Sequence, residues 1–368
     1  MKKALAILLT LTLVLLLVAC AVEQPAPPPD APAQVASPEP EPAQSTPEPS
    51  PDAPTAPEAP QEKIIIDQLG REVVIPDTIT SVATSHGPTT AMVVAMGGGD
   101  LIVGTGPKGS GRNIFNDVAP LAMSSPQIGQ QANLNLEELA RINPDLFIFP
   151  VRNREILDDL ETLEILGVAI DPERFDSIIA AMRIVGAAIN NDEHAEEVIS
   201  LVERNLSTIG ERTAGVANAP TAIITGRGSM TEVCVSGMLQ HEILEIAGAQ
   251  NMAGEIEGHA AVDVGLEQLL VWNPDYIFIA AFGDMQPEDF YSDEQFADLS
   301  AVINRRVYKI PSEADSWETP QPAAVLATMW ITHIIHPDLF TVEEFEAGMD
   351  EFYTLLYGRT FSREDLGF

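Results

Sequence analysis

Cysteine is nearly missing from this 368-residue chain: Cys20 and Cys234 are its two thiols. Two cysteines build neither a disulfide framework nor a four-cysteine zinc site. Positive charge is scarce as well. Lys and Arg number 19 against 55 Asp and Glu, a formal charge of −36. That balance excludes a reader of phosphate backbones, which needs a basic stripe. Long apolar runs are missing beyond the first twenty residues, which excludes a polytopic membrane protein. Catalytic signatures are missing too. There is no GxSxG elbow, and His241-Glu242 lacks the second histidine of a zincin. Gly104–Gly109 fits GxGxxG, but no helical pattern follows it and no acid lies about 20 residues on, so the dinucleotide reading fails its own context. No enzyme activity and no bound cofactor are expected.

The start of the chain is an address. Lys2 and Lys3 precede an apolar stretch from Ala4 to Ala19 that only Thr10 and Thr12 interrupt. A basic start and a short apolar core make a secretory signal over residues 1–19. Its end, Leu17-Val18-Ala19-Cys20, resembles the bacterial lipoprotein box, which implies that Cys20 carries the lipid and becomes the mature N-terminus. A plain signal peptide or an uncleaved anchor is the alternative. Residues 20–61 then hold 14 prolines, 9 alanines, 7 acids and no Lys or Arg. Such a segment buries no apolar surface and reads as an extended acidic tether. At roughly 3.1 Å per residue it spans about 130 Å at most.

The folded part, 62–368, is long enough for two cores. An internal repeat divides it. Leu136-Glu137-Glu138-Leu139 leads through Asn143-Pro144-Asp145 into Leu146–Phe149, and Leu266-Glu267-Gln268-Leu269 leads through Asn273-Pro274-Asp275 into Tyr276–Ile279. Proline restricts the residue before it and ends each helix, and the apolar runs suit strands covered on both faces. Further strands are expected at Ile64–Ile66, Val73–Ile75, Val82–Thr84, Leu101–Gly104, Val168–Asp171, Thr221–Thr225 and Val307–Ile310. Between the halves, a helix capped by Asp176 runs to about Ile189. A second, from Glu193 to about Thr213, forms a strut of roughly 30 Å. The fold class is therefore α/β: two Rossmann-like lobes joined by a long rigid helix, with a ligand cleft between them. The boundaries are 62–175 for the first lobe, 176–215 for the connecting segment and 216–368 for the second lobe.

The doubled Leu-Glu…Asn-Pro-Asp unit, the Asp67-Gln68-Leu69-Gly70 hairpin, the strut and the lipoprotein box together resemble an ABC-importer substrate-binding lipoprotein. The class is that of the iron-complex and cobalamin binders (class III periplasmic binding proteins). Trp317, Pro322, Trp330 and His336-Pro337-Asp338-Leu339-Phe340 are similar to a C-terminal signature of its clostridial and archaeal relatives. The resemblance implies an ABC permease with its ATPase subunits as partners, and a monomer lipid-anchored on the outer face of the cell membrane. It also implies docking through Glu137 and Glu267, which match the acidic residue of each lobe. A glutamate opening a short helix also suits the helix dipole. Loops after the expected strand ends hold His86, Lys108, Arg112, Arg152, Arg154, Arg227 and Trp317, the candidate ligand-binding residues. Guanidinium clusters suit carboxylates and other oxyanions. A ferric siderophore or related iron complex is the expected cargo, with cobalamin, haem and molybdate or tungstate as alternatives. A surface sensor or adhesion lipoprotein on the same fold is the rival from another class. His86 and His259 have hydrogen-bonding roles as their simpler reading, and Cys234 reads as a small buried residue.

Overall fold

The computed structural model describes residues 63–108, 113–130, 133–280, 284–311 and 314–368. The signal, Cys20 and the tether lie outside them, as does Arg112. The described residues form one compact unit.

A hairpin opens it. β1 (Lys63–Ile66) and β2 (Glu72–Ile75) pair antiparallel. Asp67 closes the turn, its Oδ1 accepting from the Leu69 and Arg71 amides and its Oδ2 from the Ala169 amide. Gly70 supplies the left-handed residue, at φ +79°.

The first lobe is a four-stranded parallel sheet in the order β4-β3-β5-β6. β3 (Val82–Thr84) leads through α1 (Gly87–Val93) to β4 (Ile102–Gly104). Three short helices, α2 (Phe115–Val118), α3 (Pro120–Ser124) and α4 (Leu136–Ile142), return the chain to β5 (Leu146–Pro150). All five residues of β5 are buried, as a strand covered on both faces requires. α5 (Leu157–Thr162) then crosses to β6 (Leu166–Ile170).

Two helices carry the chain to the second lobe: α6 (Phe175–Ala188) and the 22-residue α7 (Asp192–Thr213). They pack closely at Gly186, where a Cβ would lie 2.3 Å from that of Ala195. The expected cap differs. Arg174 is the N-cap of α6, its amide bonded to Ser177 Oγ, while Asp176 sits inside the first turn. Arg174 also pairs with Glu242, whose other oxygen accepts the Phe175 amide at 2.9 Å.

The second lobe repeats the design. β7 (Thr221–Thr225), β8 (Glu232–Val233), α8 (Leu239–Ile246), β9 (Gln250–Asn251), β10 (Val262–Asp263) and α9 (Gly265–Trp272) precede β11 (Tyr276–Ile279). α10 (Pro287–Ser292) and α11 (Ser300–Ile303) lead to β12 (Val307–Lys309). Its parallel strands, β9-β7-β11-β12, mirror the first sheet, with β8 and β10 added antiparallel. The C-terminal helices α12 (Ala324–Ile335), α13 (Val342–Tyr357) and α14 (Arg363–Leu366) complete it. α12 has 10 of its 12 residues buried, the pattern of a helix apolar all round. Among the described residues, no helix is long and apolar enough to cross a membrane.

The repeated Asn-Pro-Asp has a structural purpose. Asn143 and Asn273 end their helices in the left-handed region, at φ 47° and 46°. Asp145 Oδ2 then accepts from Thr80 N, Thr80 Oγ1 and Ser81 N, and Asp275 Oδ2 accepts from Thr221 N and Oγ1. Each aspartate fastens the start of its lobe's first strand, β3 or β7.

Candidate functional site

The parallel strands of both sheets direct their carboxyl ends toward one cleft of about 450 Å³. This is where ligands collect in open α/β sheets. The first lobe contributes His86–Thr89 after β3, Pro107 after β4, Pro150 and Arg152 after β5, and Pro172 and Glu173 after β6. The second contributes Arg227 after β7, Met238–Gln240 at the start of α8, His259, and Thr319–Pro320 beyond β12. Five of these residues are prolines: Pro88, Pro107, Pro150, Pro172 and Pro320.

The lining reverses the charge of the protein. Among the described residues it holds two guanidiniums, Arg152 and Arg227, against one carboxylate, Glu173, in a chain of net charge −36. Arg152 approaches Glu173 at 3.8 Å with both side chains about half exposed, a loose pair of little strength. Arg227 is half-buried and lies beside the Cys234 thiol, which Glu318 also influences. Burial, aided by the Glu318 charge, pushes that thiol up to about 12, and Arg227 only partly offsets the rise. Cys234 is thus a protonated, inert core residue. His86 is the N-cap of α1, and its carbonyl accepts from the Thr90 amide and hydroxyl. His259 holds the Gly237 carbonyl through Nδ1 at 3.2 Å. Gln240 is buried, its Nε2 donating to the Glu318 carbonyl at 2.8 Å and to Glu318 Oε2 at 3.1 Å.

Of the candidate ligand-binding residues, His86, Arg152 and Arg227 meet in the cleft, joined by His259. Lys108 does not. Its Nζ donates to the Met123 and Ser125 carbonyls at the end of α3, and burial lowers its pKa. It satisfies orphan carbonyls of a helix terminus. Arg154 is exposed and outside the lining, because the helical turn after β5 sends residues two apart in different directions. Trp317 is a core residue rather than a ligand contact. It is fully buried, its Nε1 donating to Tyr353 OH at 2.8 Å, and that hydroxyl donates to Asp315 Oδ2 at 3.2 Å. Glu137 and Glu267 are both exposed in the first turn of their helices, second in α4 and third in α9, with no hydrogen bond or ion pair among the described residues. His333 stacks on Phe345, and His336 meets the Gly248 carbonyl. Among the described residues, no cluster of His, Cys, Asp and Glu is arranged to hold a metal ion.

A family model described as periplasmic binding protein matches residues 82–314, which span both sheets and the connecting helices. The chain belongs to the periplasmic binding protein family. As a family member it is an extracytoplasmic solute-binding component of an ABC transporter, and the family binds solutes rather than transforming them. It is 23% identical over 331 residues to the molybdate-binding protein MolA of Haemophilus influenzae, covering 83% of this chain and 93% of that one. It is 23% identical to the vitamin B12-binding protein of Pectobacterium atrosepticum over 57% of this chain and 74% of that one. Among solved structures, a periplasmic solute-binding protein from Veillonella parvula superposes with a TM-score of 0.75 at 24% identity, covering 83% and 96% of the two chains. Helicobacter pylori CeuE with Ni(II) bound gives 0.68 at 20% identity, covering 83% and 98%. At these identities the superpositions establish the two-lobed fold.

Proposed function

We propose that this protein captures a compact anionic metal complex of the ferric-siderophore kind and delivers it to its permease from a lipid anchor at Cys20. The supporting observation is the reversed charge of the cleft. Arg152 and Arg227 approach from opposite lobes, with His86 and His259 beside them, inside an otherwise acidic protein. Guanidiniums in a recessed site favour carboxylate, catecholate or oxyanion oxygens. A volume of about 450 Å³ suits a ligand of chelate size. It is small for a corrinoid with its nucleotide tail. The MolA likeness favours a second reading, a molybdate-type oxyanion.

Glu137 and Glu267 would supply the permease contacts. Both are exposed at equivalent places in the two lobes, each opening a short helix.

The test is calorimetric titration of the full chain with ferric citrate, a ferric catecholate, haemin, cyanocobalamin and sodium molybdate. Charged hydrogen bonds contribute roughly 1.5–3 kcal/mol each. An Arg152→Ala/Arg227→Ala variant should therefore lose on the order of 10²–10⁴ in affinity for the anionic cargo. Binding that survives the double replacement refutes the anionic reading. Retrieval of a permease by the wild type but not by Glu137→Ala/Glu267→Ala supports the docking roles, and equal retrieval removes them.

A further inference from the structure

One side chain of the cleft has its hydrogen-bonding polarity fixed before any ligand arrives. Gln240 lies in the first turn of α8, 3% exposed, and lines the cleft. Its Nε2 donates to the main-chain carbonyl of Glu318 at 2.8 Å and to the Glu318 carboxylate at 3.1 Å. Both partners are acceptors, and Glu318 is fully buried. An amide has one donor end and one acceptor end. Turned over, it would set a carbonyl against two acceptors, so the orientation is imposed by its neighbours. The end turned away from Glu318 is Oε1, which has no hydrogen-bond partner among the described residues.

We infer that Gln240 Oε1 is a fixed acceptor facing the cargo and acts as a specificity residue. It selects an anion that also carries an N–H or O–H donor. A chelate with a coordinated amine, amide, hydroxyl or water meets that demand. An acceptor-only oxyanion such as molybdate does not. The inference rests on the anionic reading above and narrows it. Two negative oxygens held by Arg152 and Arg227 leave the third wall, at α8, to be met by a donor. A ligand without one sets oxygen against oxygen and leaves the amide carbonyl desolvated and unpaired. Sites built around a hydrogen bond reject analogues that lack the matching group far more strongly than apolar pockets reject a methylene. A preference of about ten- to a hundredfold is expected here.

The experiment titrates the full chain with four probes: sodium molybdate, sodium phosphate at mildly alkaline pH, ferric citrate and an anionic ferric catecholamide, which carries amide N–H groups. Hydrogenphosphate matches molybdate in charge and tetrahedral shape but carries one O–H, so that pair reads the donor alone. The wild type should bind a donor-bearing probe at least tenfold more tightly than molybdate. Gln240→Met should narrow that gap tenfold or more. Should the Met variant fail to fold for want of a donor to Glu318, Gln240→Lys keeps that donor, removes the carbonyl and should narrow the gap likewise. Molybdate as the tightest probe, or a gap unchanged in the variants, overturns the role of Gln240 and leaves anion capture standing. Silence from all four probes in every variant overturns anion capture and this inference with it.

Discussion

Replacing Tyr353 with phenylalanine separates two roles for Trp317. In the structure the Tyr353 hydroxyl accepts from Trp317 Nε1 at 2.8 Å and donates to Asp315 Oδ2 at 3.2 Å. All three residues are buried, and the Asp315 carboxylate is also held by Gln321 Nε2 at 2.8 Å. Tyr353→Phe removes one oxygen and almost no volume, leaving the indole N–H without an acceptor and the carboxylate one donor short. A buried unsatisfied donor costs about 1–3 kcal/mol, and a hydrogen bond to a charged group is worth about 1.5–3 kcal/mol. With partial relaxation, a loss of about 3 kcal/mol is expected, or roughly 6 °C in the melting temperature of a domain this size. Denaturant unfolding of the variant beside the wild type gives the number directly. Trp317→Phe should be destabilising too, and the double variant should cost less than the sum, because both singles break the same contact. Ligand affinity should stay within a few-fold in all three. A loss under about 1 kcal/mol with a large drop in affinity would refute the core assignment and restore Trp317 to the ligand.

The repeat makes a paired forecast: Asp145→Ala and Asp275→Ala should each cost about 1–2 kcal/mol, a charged hydrogen-bond loss discounted for exposure, measured by denaturant unfolding. Hydrogen bonds from the Thr80 hydroxyl and amide, and then from Ser81, hold the Asp145 carboxyl below its ordinary value. Its contribution is therefore complete above the ordinary carboxylate range and is lost as pH falls through the lowered folded value. Asp145→Asn should lose that part of the acid-side slope, and an unchanged slope would contradict the assignment. Cys234, its pKa pushed up to about 12 and its side chain buried, should resist a thiol reagent in the native protein and react once denaturant is added. Prompt native reaction would place it at the surface.

Much of this architecture is legible in the sequence because the repeated unit carries strong local physics. Pro144 and Pro274 stop helices, and the runs after them are apolar enough to be buried on both faces. β8, β9 and β10 are two residues each, too short to display any period. The helix cap moved from Asp176 to Arg174 because Ser177 answers from three residues on, within the usual margin of a helix boundary. The site was harder. Loops after strand ends are legible in the sequence, and the structure brings His86, Arg152 and Arg227 from three of them to one cleft. The direction of each side chain depended on tertiary partners that no local pattern encodes. Lys108 found two carbonyls on α3, Trp317 found Tyr353 36 residues away, and Arg154 turned outward. Gln240 carries no signal at all in the sequence, since its partner Glu318 is 78 residues distant.

The five prolines around the cleft set a limit on how it recognises anything. A proline has no amide hydrogen and a nearly fixed φ. The loops that bear Pro88, Pro107, Pro150, Pro172 and Pro320 therefore have little conformational freedom even in the unfolded chain, and capture of a ligand has less left to order. The same rings withhold backbone donors from the wall at five points. Recognition then falls to a few side chains on a stiff frame. A relative could exchange its cargo by replacing two or three of them, with the frame untouched.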